Sequence, residues 1–515
     1  MSAKILVLDF GSQYNQLIVT RIRGLGVYAQ LKSATMTPEE IREYNPSGII
    51  LSGGPASVYD ENAPKAPEGI FDLGVPVLGI CYGMQLMTHT LGGKIEAADH
   101  REYGKAHLLN QNHDSILLKG LGQLEGSQVW MSHGDSVKSI PDGFETLAST
   151  SSTPHTIIHN EEKKLFGMQF HPEVKHSLCG SDLLKNFLYE ACEADGSWRM
   201  SNFLESSIEK IRQTVGETDK VILGLSGGVD SSVMALLLHK AIGDRLTCIF
   251  IDNGLLRLHE GDQVESTFKE HYQLNFVRIN AADHFLGSLK GISEPEQKRK
   301  SIGASFIEVF EKACAGQKDV KWLAQGTIYP DVIESTPTHG KSETIKSHHN
   351  VGGLPDKMNL KVLEPLRELF KDEVRALGRE LGLPQQMLGR HPFPGPGLGV
   401  RVLGEVTADK CDVLRQADRI FIDEIEEAGV YNDIAQAFAV LLPVNSVGVM
   451  GDGRTYENVL ALRAVTTDDF MTADWYHFSY EFLSKVSNRI VNEVRGVNRV
   501  VYDVTSKPPG TIEWE

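Results

Sequence analysis

One stretch restricts the possible fold more than any other. It is Val221-Ile-Leu-Gly-Leu-Ser226-Gly227-Gly228-Val229-Asp230-Ser231-Ser232, running on through an apolar segment to His239-Lys240. Val221 to Leu225 reads as a buried strand. Ser232 to Lys240 is apolar on more than one face, as expected of a helix packed on a sheet. The turn between them holds two glycines, which let a backbone bend sharply and approach a ligand closely. A helix that starts from such a turn presents unpaired N–H groups and a positive dipole end. That is an anion site, and phosphate is the usual anion.

Two other patterns overlap this stretch. Gly224 to Gly228 fits the G-x-S-x-G elbow of serine hydrolases, but that reading leaves Asp230, Ser231 and Ser232 unexplained. A Walker A loop needs a lysine before the serines, and none is there. The one Gly-Lys-Ser, at 340–342, has Ser335 where that pattern requires glycine.

At 515 residues the chain is too long for one core, so two to four domains are expected. Its 51 Lys and Arg against 68 Asp and Glu leave a net charge of −17. Such a balance argues against general binding of nucleic acid or anionic membrane, though not against local basic pockets for small phosphates. No run approaches the roughly 18 apolar residues of a membrane span. The opening MSAKILVLDFGSQ enters a strand directly and lacks a signal-peptide layout. Six scattered cysteines without a Cys-x-x-Cys read as reduced thiols. A cytoplasmic location is therefore expected.

Residues 1 to about 193 alternate strands (Ile5–Leu8, Gly48–Leu51, Val75–Ile80) with helices, which implies a mostly parallel sheet with its site at the strand carboxyl ends. Gly79-Ile-Cys81-Tyr82-Gly83 is a nucleophile elbow with a thiol in place of a hydroxyl. A helix N-terminus there would stabilise the thiolate. Downstream lies Phe170-His171-Pro172-Glu173. The residue before proline is extended, so His171 and Glu173, two apart, point the same way. The carboxylate can then orient the imidazole and the imidazole serve the thiol. Backbone N–H groups near Gly53 and Gly54, with that of Tyr82, could form an oxyanion hole.

A polar junction at 194–199 marks a boundary, and residues 194–390 read as a second α/β sheet. Asp252-Asn-Gly254 and Gln325-Gly-Thr327 fall at strand carboxyl ends, either as nucleotide contacts or as ordinary turns. Arg299 lies in a small basic cluster, a solvated helix face or a phosphate ligand. Residues 328–360 are long and polar, as active-site lids often are. His348 and His349 are adjacent and rarely would face one metal. From 391, His-Pro-Phe-Pro-Gly-Pro-Gly-Leu-Gly399 is rigid and turn-rich. Helical patterns at 409–428 and 474–495 and strands at 445–450, 458–465 and 498–504 follow, a smaller α+β domain. Trp514, Ile512 and two prolines argue that the chain end docks rather than frays.

These motifs carry resemblances. SGGVDSS resembles the pyrophosphate loop of the ATP pyrophosphatases. The resemblance implies that Ser226, Ser231 and Ser232, with Gly227, Gly228 and Val229, meet the ATP phosphates, and that Asp230 helps hold Mg2+. Residues 4 to about 192 resemble the class I glutamine amidotransferases. That implies Cys81 as nucleophile, His171 as base and acid, Glu173 as its orienting group, and Gln85 beside the glutamine. Met131-Ser-His133-Gly-Asp135 also looks like a motif of that family, either shaping the glutamine pocket or serving structure. Together with HPFPGPGLG, GDGRTY and the KPPGTIEWE ending, the whole chain resembles the glutamine-hydrolysing GMP synthetase family. That resemblance implies XMP, ATP and glutamine as substrates and an adenyl-XMP intermediate. It also implies a homodimer through residues 391–515, and Arg299, Asp452, Lys507 and Glu513 as XMP contacts. A related ligase such as an NAD synthetase would share the loop but not the later motifs. A thiol hydrolase acting alone would not need the loop, and a tRNA-modifying enzyme would need a basic face.

Overall fold

The structure is a computed structural model and describes residues 3–12, 14–111, 115–315, 317, 319–335, 360–450, 453–467 and 470–515. They form two compact units, Met1–Phe203 and Leu204–Glu515.

The first unit is built on an eight-stranded sheet in the order Tyr28–Ser33, Lys4–Asp9, Gly48–Leu51, Val77–Ile80, Leu165–Met168, Ile157–Asn160, Glu145–Ser149, Leu109–Gln111. The first five strands run parallel, and pairing turns antiparallel beyond Leu165–Met168. Gly48–Leu51, Val77–Ile80 and Leu165–Met168 are buried along their whole length, as strands covered on both faces must be. Leu51, Met84 and Leu165 help fill one core of this unit. A separate antiparallel pair, Lys94–His107 with Gln128–Ser139, stands beside the sheet.

The second unit holds a five-stranded parallel sheet, ordered Asn275–Asn280, Leu246–Asp252, Lys220–Gly224, Val320–Ala324, Lys361–Leu363. The strand earliest in sequence is central, and the chain builds outward on one side before crossing to the other. That reversal opens a crevice beyond the carboxyl ends of Lys220–Gly224 and Val320–Ala324, where residues 225–228 and 325–327 lie. Farther along, the long hairpin Gln436–Met450 and Gly453–Thr466 is joined by Asp474–Trp475 and, in parallel, by Val497–Tyr502. Two helices, Ala408–Glu427 and Tyr480–Glu493, accompany it. The fold is therefore the expected pair of mostly parallel sheets followed by a smaller α+β portion. One core cluster joins both parts of the second unit: Ile222, Ile249 and Leu323 of the parallel sheet belong with Leu414, Phe421, Leu460 and Ile490.

The helix expected over 474–495 starts later. Asp474–Trp475 extends the ladder beside Val465 and Thr466. Ser479 then accepts the N–H of Phe482 at 3.2 Å and caps the helix that begins at Tyr480.

Candidate active sites

The strand Val77–Ile80 ends in a turn so tight that only glycine fits on either side of Cys81. A Cβ on Gly79 would lie 2.6 Å from the Gly83 carbonyl, and one on Gly83 would lie 2.3 Å from the Leu51 oxygen. Cys81 itself has φ 50° and ψ −107° at the head of the helix Tyr82–Thr90. A left-handed φ on a residue with a Cβ is strained, and such strain persists where the surroundings fix it. Here the Cys81 N–H is held by the Met168 carbonyl at 2.7 Å and the Gly83 N–H by that of Ser52 at 3.0 Å.

His171 and Glu173 come together as their spacing predicts, with Nδ1 to Oε1 at 2.7 Å. Glu173 is fully buried. Burial is the largest influence on His171 and would push its pKa down. Hydrogen bonds to Cys81 and Glu173, reinforced by their charges, outweigh it and hold the imidazole well above its ordinary value. Gly53 sits against both partners: a Cβ there would be 3.1 Å from His171 Cε1 and 3.7 Å from Cys81 Cβ. Gly54 is pressed on the Phe10 carbonyl, where a Cβ would lie 2.4 Å away. Tyr82 turns its ring away, its hydroxyl donating to Pro64 O at 2.6 Å. Burial, helped by Asp60, pushes that hydroxyl up to about 12.

Gln85 donates to the Asp135 carbonyl at 2.7 Å and to Gln169 Oε1 at 3.3 Å. Residues 131–135 lie on the strand Gln128–Ser139, and the Ser132 carbonyl is 3.6 Å from Cys81 Sγ. His133 does not face the thiol. Its Nδ1 meets the Asp135 carbonyl at 3.0 Å, and its Nε2 lies 3.4 Å from Glu102. Gln169 was missed from sequence, although it shares the alternation of His171 and Glu173 that puts all three on one side of an extended chain.

In the second unit, Ser226 to Ser232 form the expected strand-to-helix turn. Gly227 has φ +77°, and a Cβ on it would meet Val264 at 2.9 Å. The helix Val229–Ile242 starts from Gly228 with no side-chain cap, leaving its first N–H groups for an anion. Ser226 and Ser231 hydroxyls lie 3.0 Å apart at the mouth of the turn. Ser232 is buried, its hydroxyl donating to the Gly228 carbonyl at 2.8 Å, so it braces the turn.

Both oxygens of Asp230 accept from Lys371 Nζ at 2.7 Å. Lys371 opens the helix Lys371–Glu380, more than a hundred residues away in sequence. A lone lysine after Phe370 carried no local signal. Asp252 is braced by Arg278 at 2.7 Å and by the Gly254 N–H at 3.2 Å. Thr327 donates to Glu364 at 2.6 Å. Both strand ends are thus ordered. Among the described residues no three His, Cys, Asp or Glu side chains gather as a ready-made metal cage.

The remaining candidates lie apart in their bonding. Arg299 Nη2 donates to the Glu515 carbonyl at 2.5 Å. Glu513 accepts from buried Arg401 through both oxygens, at 2.9 and 3.2 Å, and from Gln436 at 2.7 Å. Lys507 Nζ donates to the Phe470 carbonyl at 2.7 Å. Lys298, wholly buried, pairs with Glu515 at 2.5 Å. The chain end is therefore docked, with Ile512 buried in a small cluster. Asp452 and most of the segment 328–360, with His348 and His349, lie outside the described residues.

Three family models match the chain. One described as glutamine amidotransferase class-I matches residues 6–191, one as NAD synthase residues 199–295, and one as GMP synthase C terminal domain residues 423–514. Among full-length relatives, the chain is 57% identical to GMP synthase (glutamine-hydrolyzing) of Tolumonas auensis over 521 residues, covering 99% of this chain and 98% of that protein. It is 58% identical to that of Cronobacter sakazakii over 519 residues, with the same coverage of both. A solved structure of a glutamine amidotransferase from Thermotoga maritima matches 38% of this chain and 100% of its own, at 17% identity and a TM-score of 0.30.

Proposed function

Because the chain belongs to the family of glutamine-hydrolysing GMP synthases, we propose that it divides the reaction as follows. Residues 1–193 release ammonia from glutamine, residues 194–390 activate XMP with ATP, and residues 391–515 complete the XMP site and form a homodimer. The observation that carries the first assignment is the strained Cys81 at the head of its helix, packed with His171 around Gly53, and His171 is held by Glu173 at 2.7 Å.

Cys81 Sγ attacks the glutamine amide carbon. His171 takes the thiol proton and hands it to the departing ammonia, while Glu173 keeps Nε2 turned to the reaction. Backbone N–H groups at Gly53, Gly54 and Tyr82 stand where the oxyanion develops, and Gln85 shapes the pocket behind. Water then frees glutamate from the thioester with His171 as base. In the second unit the C2 oxygen of XMP attacks the α-phosphorus of ATP, giving adenyl-XMP and pyrophosphate. Ser226, Gly227, Gly228, Val229 and Ser231, with the helix behind them, hold the leaving pyrophosphate, and Ser232 fixes their turn. Ammonia displaces AMP and yields GMP.

Asp230 would hold Mg2+, which neutralises phosphate charge. A single carboxylate suits an ion bound mainly through phosphate oxygens and water. Lys371, now on Asp230, is close enough to the loop to add its charge to the phosphates. Arg299, Lys507, Glu513 and Asp452 are assigned to XMP. Arg299 is ordered by the docked chain end, and Glu513, within that end, by Arg401 and Gln436.

The homodimer reading draws on the hairpin Gln436–Met450 and Gly453–Thr466, which leaves Val447, Val449 and Tyr456 exposed. No helix of the described residues is long and apolar enough to cross a membrane. All six cysteines are free and buried, which accords with a reducing, cytoplasmic setting.

The test is Cys81→Ala, assayed with each nitrogen donor. GMP formation from glutamine should vanish while that from ammonium persists. Loss of both, or survival of both, overturns the division of labour.

A further inference from the structure

Among the described residues, the thiol of Cys81 makes two hydrogen-bond contacts besides its approach to His171. One is the Ser132 carbonyl at 3.6 Å, which can accept from S–H but only repels a thiolate. The other is the side-chain amide of Gln169, with Nε2 3.7 Å from Sγ. The orientation of that amide is determined by its surroundings. Gln85 must point its own nitrogen at the Asp135 carbonyl, 2.7 Å away, and the same nitrogen meets Gln169 Oε1 at 3.3 Å. With its oxygen so occupied, Gln169 presents N–H to sulfur. The Asp135 carbonyl is fixed in turn by His133 Nδ1 at 3.0 Å. Gln169 is wholly buried, and among the described residues its amide nitrogen has no other acceptor. A buried donor aimed at one atom is matched to the state in which that atom is charged.

We propose that Gln169 is a catalytic residue of the glutaminase step, its amide N–H stabilising the Cys81 thiolate. The proposal rests on Cys81 being the nucleophile. As the thiol proton passes to His171, the lone pair left on sulfur gains the Gln169 N–H while the S–H contact to Ser132 is lost. The attacking form is thereby favoured over the resting thiol. When the sulfur lone pair bonds to the amide carbon the contact weakens, so Gln169 acts on formation of the nucleophile. Glutamine itself need not touch it.

The full-length chain carrying Gln169→Leu, which removes the donor, tests this beside Gln169→Glu, which keeps the shape and sets a carboxylate on the sulfur. Glutamine-dependent kcat should fall about 10- to 100-fold in the first, the scale of a hydrogen bond to a charged group, and further in the second. KM for glutamine should stay within about threefold, since Gln85 keeps its shorter bond to the Asp135 carbonyl. Alkylation of Cys81 by iodoacetamide should slow in both variants, and ammonium-dependent GMP formation should be unchanged. Wild-type kcat and alkylation rate in both variants would overturn the proposal. So would a raised KM with kcat intact, which would put Gln169 on the substrate. Glutamine use surviving in Cys81→Ala would instead remove the nucleophile reading itself, a separate result.

Discussion

At Cys81 the backbone is left-handed, at φ 50°, and two glycines make room for it. Gly83 is the stricter, because a Cβ there would meet the Leu51 oxygen at 2.3 Å and that oxygen is part of a buried strand. Gly83→Ala should cost about 1–3 kcal/mol in stability, the usual penalty of forcing atoms into a filled core. It should also lower glutamine use, checked by thermal denaturation and by comparing the two nitrogen donors. Glu173→Gln acts differently. It keeps the volume but removes the anion that helps hold the His171 pKa above its ordinary value, so that pKa should fall. Glutamine-dependent kcat should drop about 100-fold or more with ammonium use intact. A profile of kcat against pH that does not move in this variant would contradict the role given to the carboxylate. At this scale much was legible: Cys81, His171 and Glu173 could be found from spacing because a strand end and an X-Pro extension fix side-chain direction locally. Gln169 obeys the same alternation, but a glutamine carries no chemical alarm until its partner atom is seen. Lys371 had no sequence mark, since it reaches Asp230 from 141 residues away.

Elements hold these residues in register. The strand Lys94–His107 carries Glu102, which lies beside His133 and accepts from Thr150 at 3.3 Å and Thr153 at 2.7 Å. Burial, the largest influence, would raise its pKa. Hydrogen bonds from His133, Thr153 and Ser152 outweigh burial and bring the carboxyl down to about 2. A folded pKa below the unfolded one stabilises the fold fully above the unfolded value near 4.5 and loses that stabilisation as pH falls through about 2. The first unit should therefore weaken through that acid range, and Glu102→Gln should flatten this part of its stability–pH curve, followed by circular dichroism. In the second unit, Lys371→Ala frees both Asp230 oxygens and removes a cation from the phosphate loop. Pyrophosphate release with XMP and ATP should fall by about 10- to 1,000-fold. Glutaminase activity without nucleotide should be unaffected. Strands and helices with strong apolar periodicity were readable, whereas the boundary at Tyr480 was not. It depends on Asp474–Trp475 joining a ladder whose partner strand lies earlier in the chain.

For the whole molecule, the expected three-part division, with boundaries at 193/194 and 390/391, meets two compact units. Sequence shows where linkers and motifs fall. It does not show which buried faces share a core, because that depends on contacts between residues far apart in the chain. The docked chain end is one such contact. Lys298 and Glu515 form a nearly water-free pair 217 residues apart. Lys298→Met would strand the carboxylate and should destabilise the second unit by about 3–5 kcal/mol, read from urea denaturation. The shared core of the second unit has an implication for how such a chain can be encoded. Ile222 and Leu323 belong with Leu414 and Ile490, so a gene broken near codon 390 would make two products with raw apolar faces. If this reaction is ever carried by two separate polypeptides, that shared core argues against a seam near residue 390.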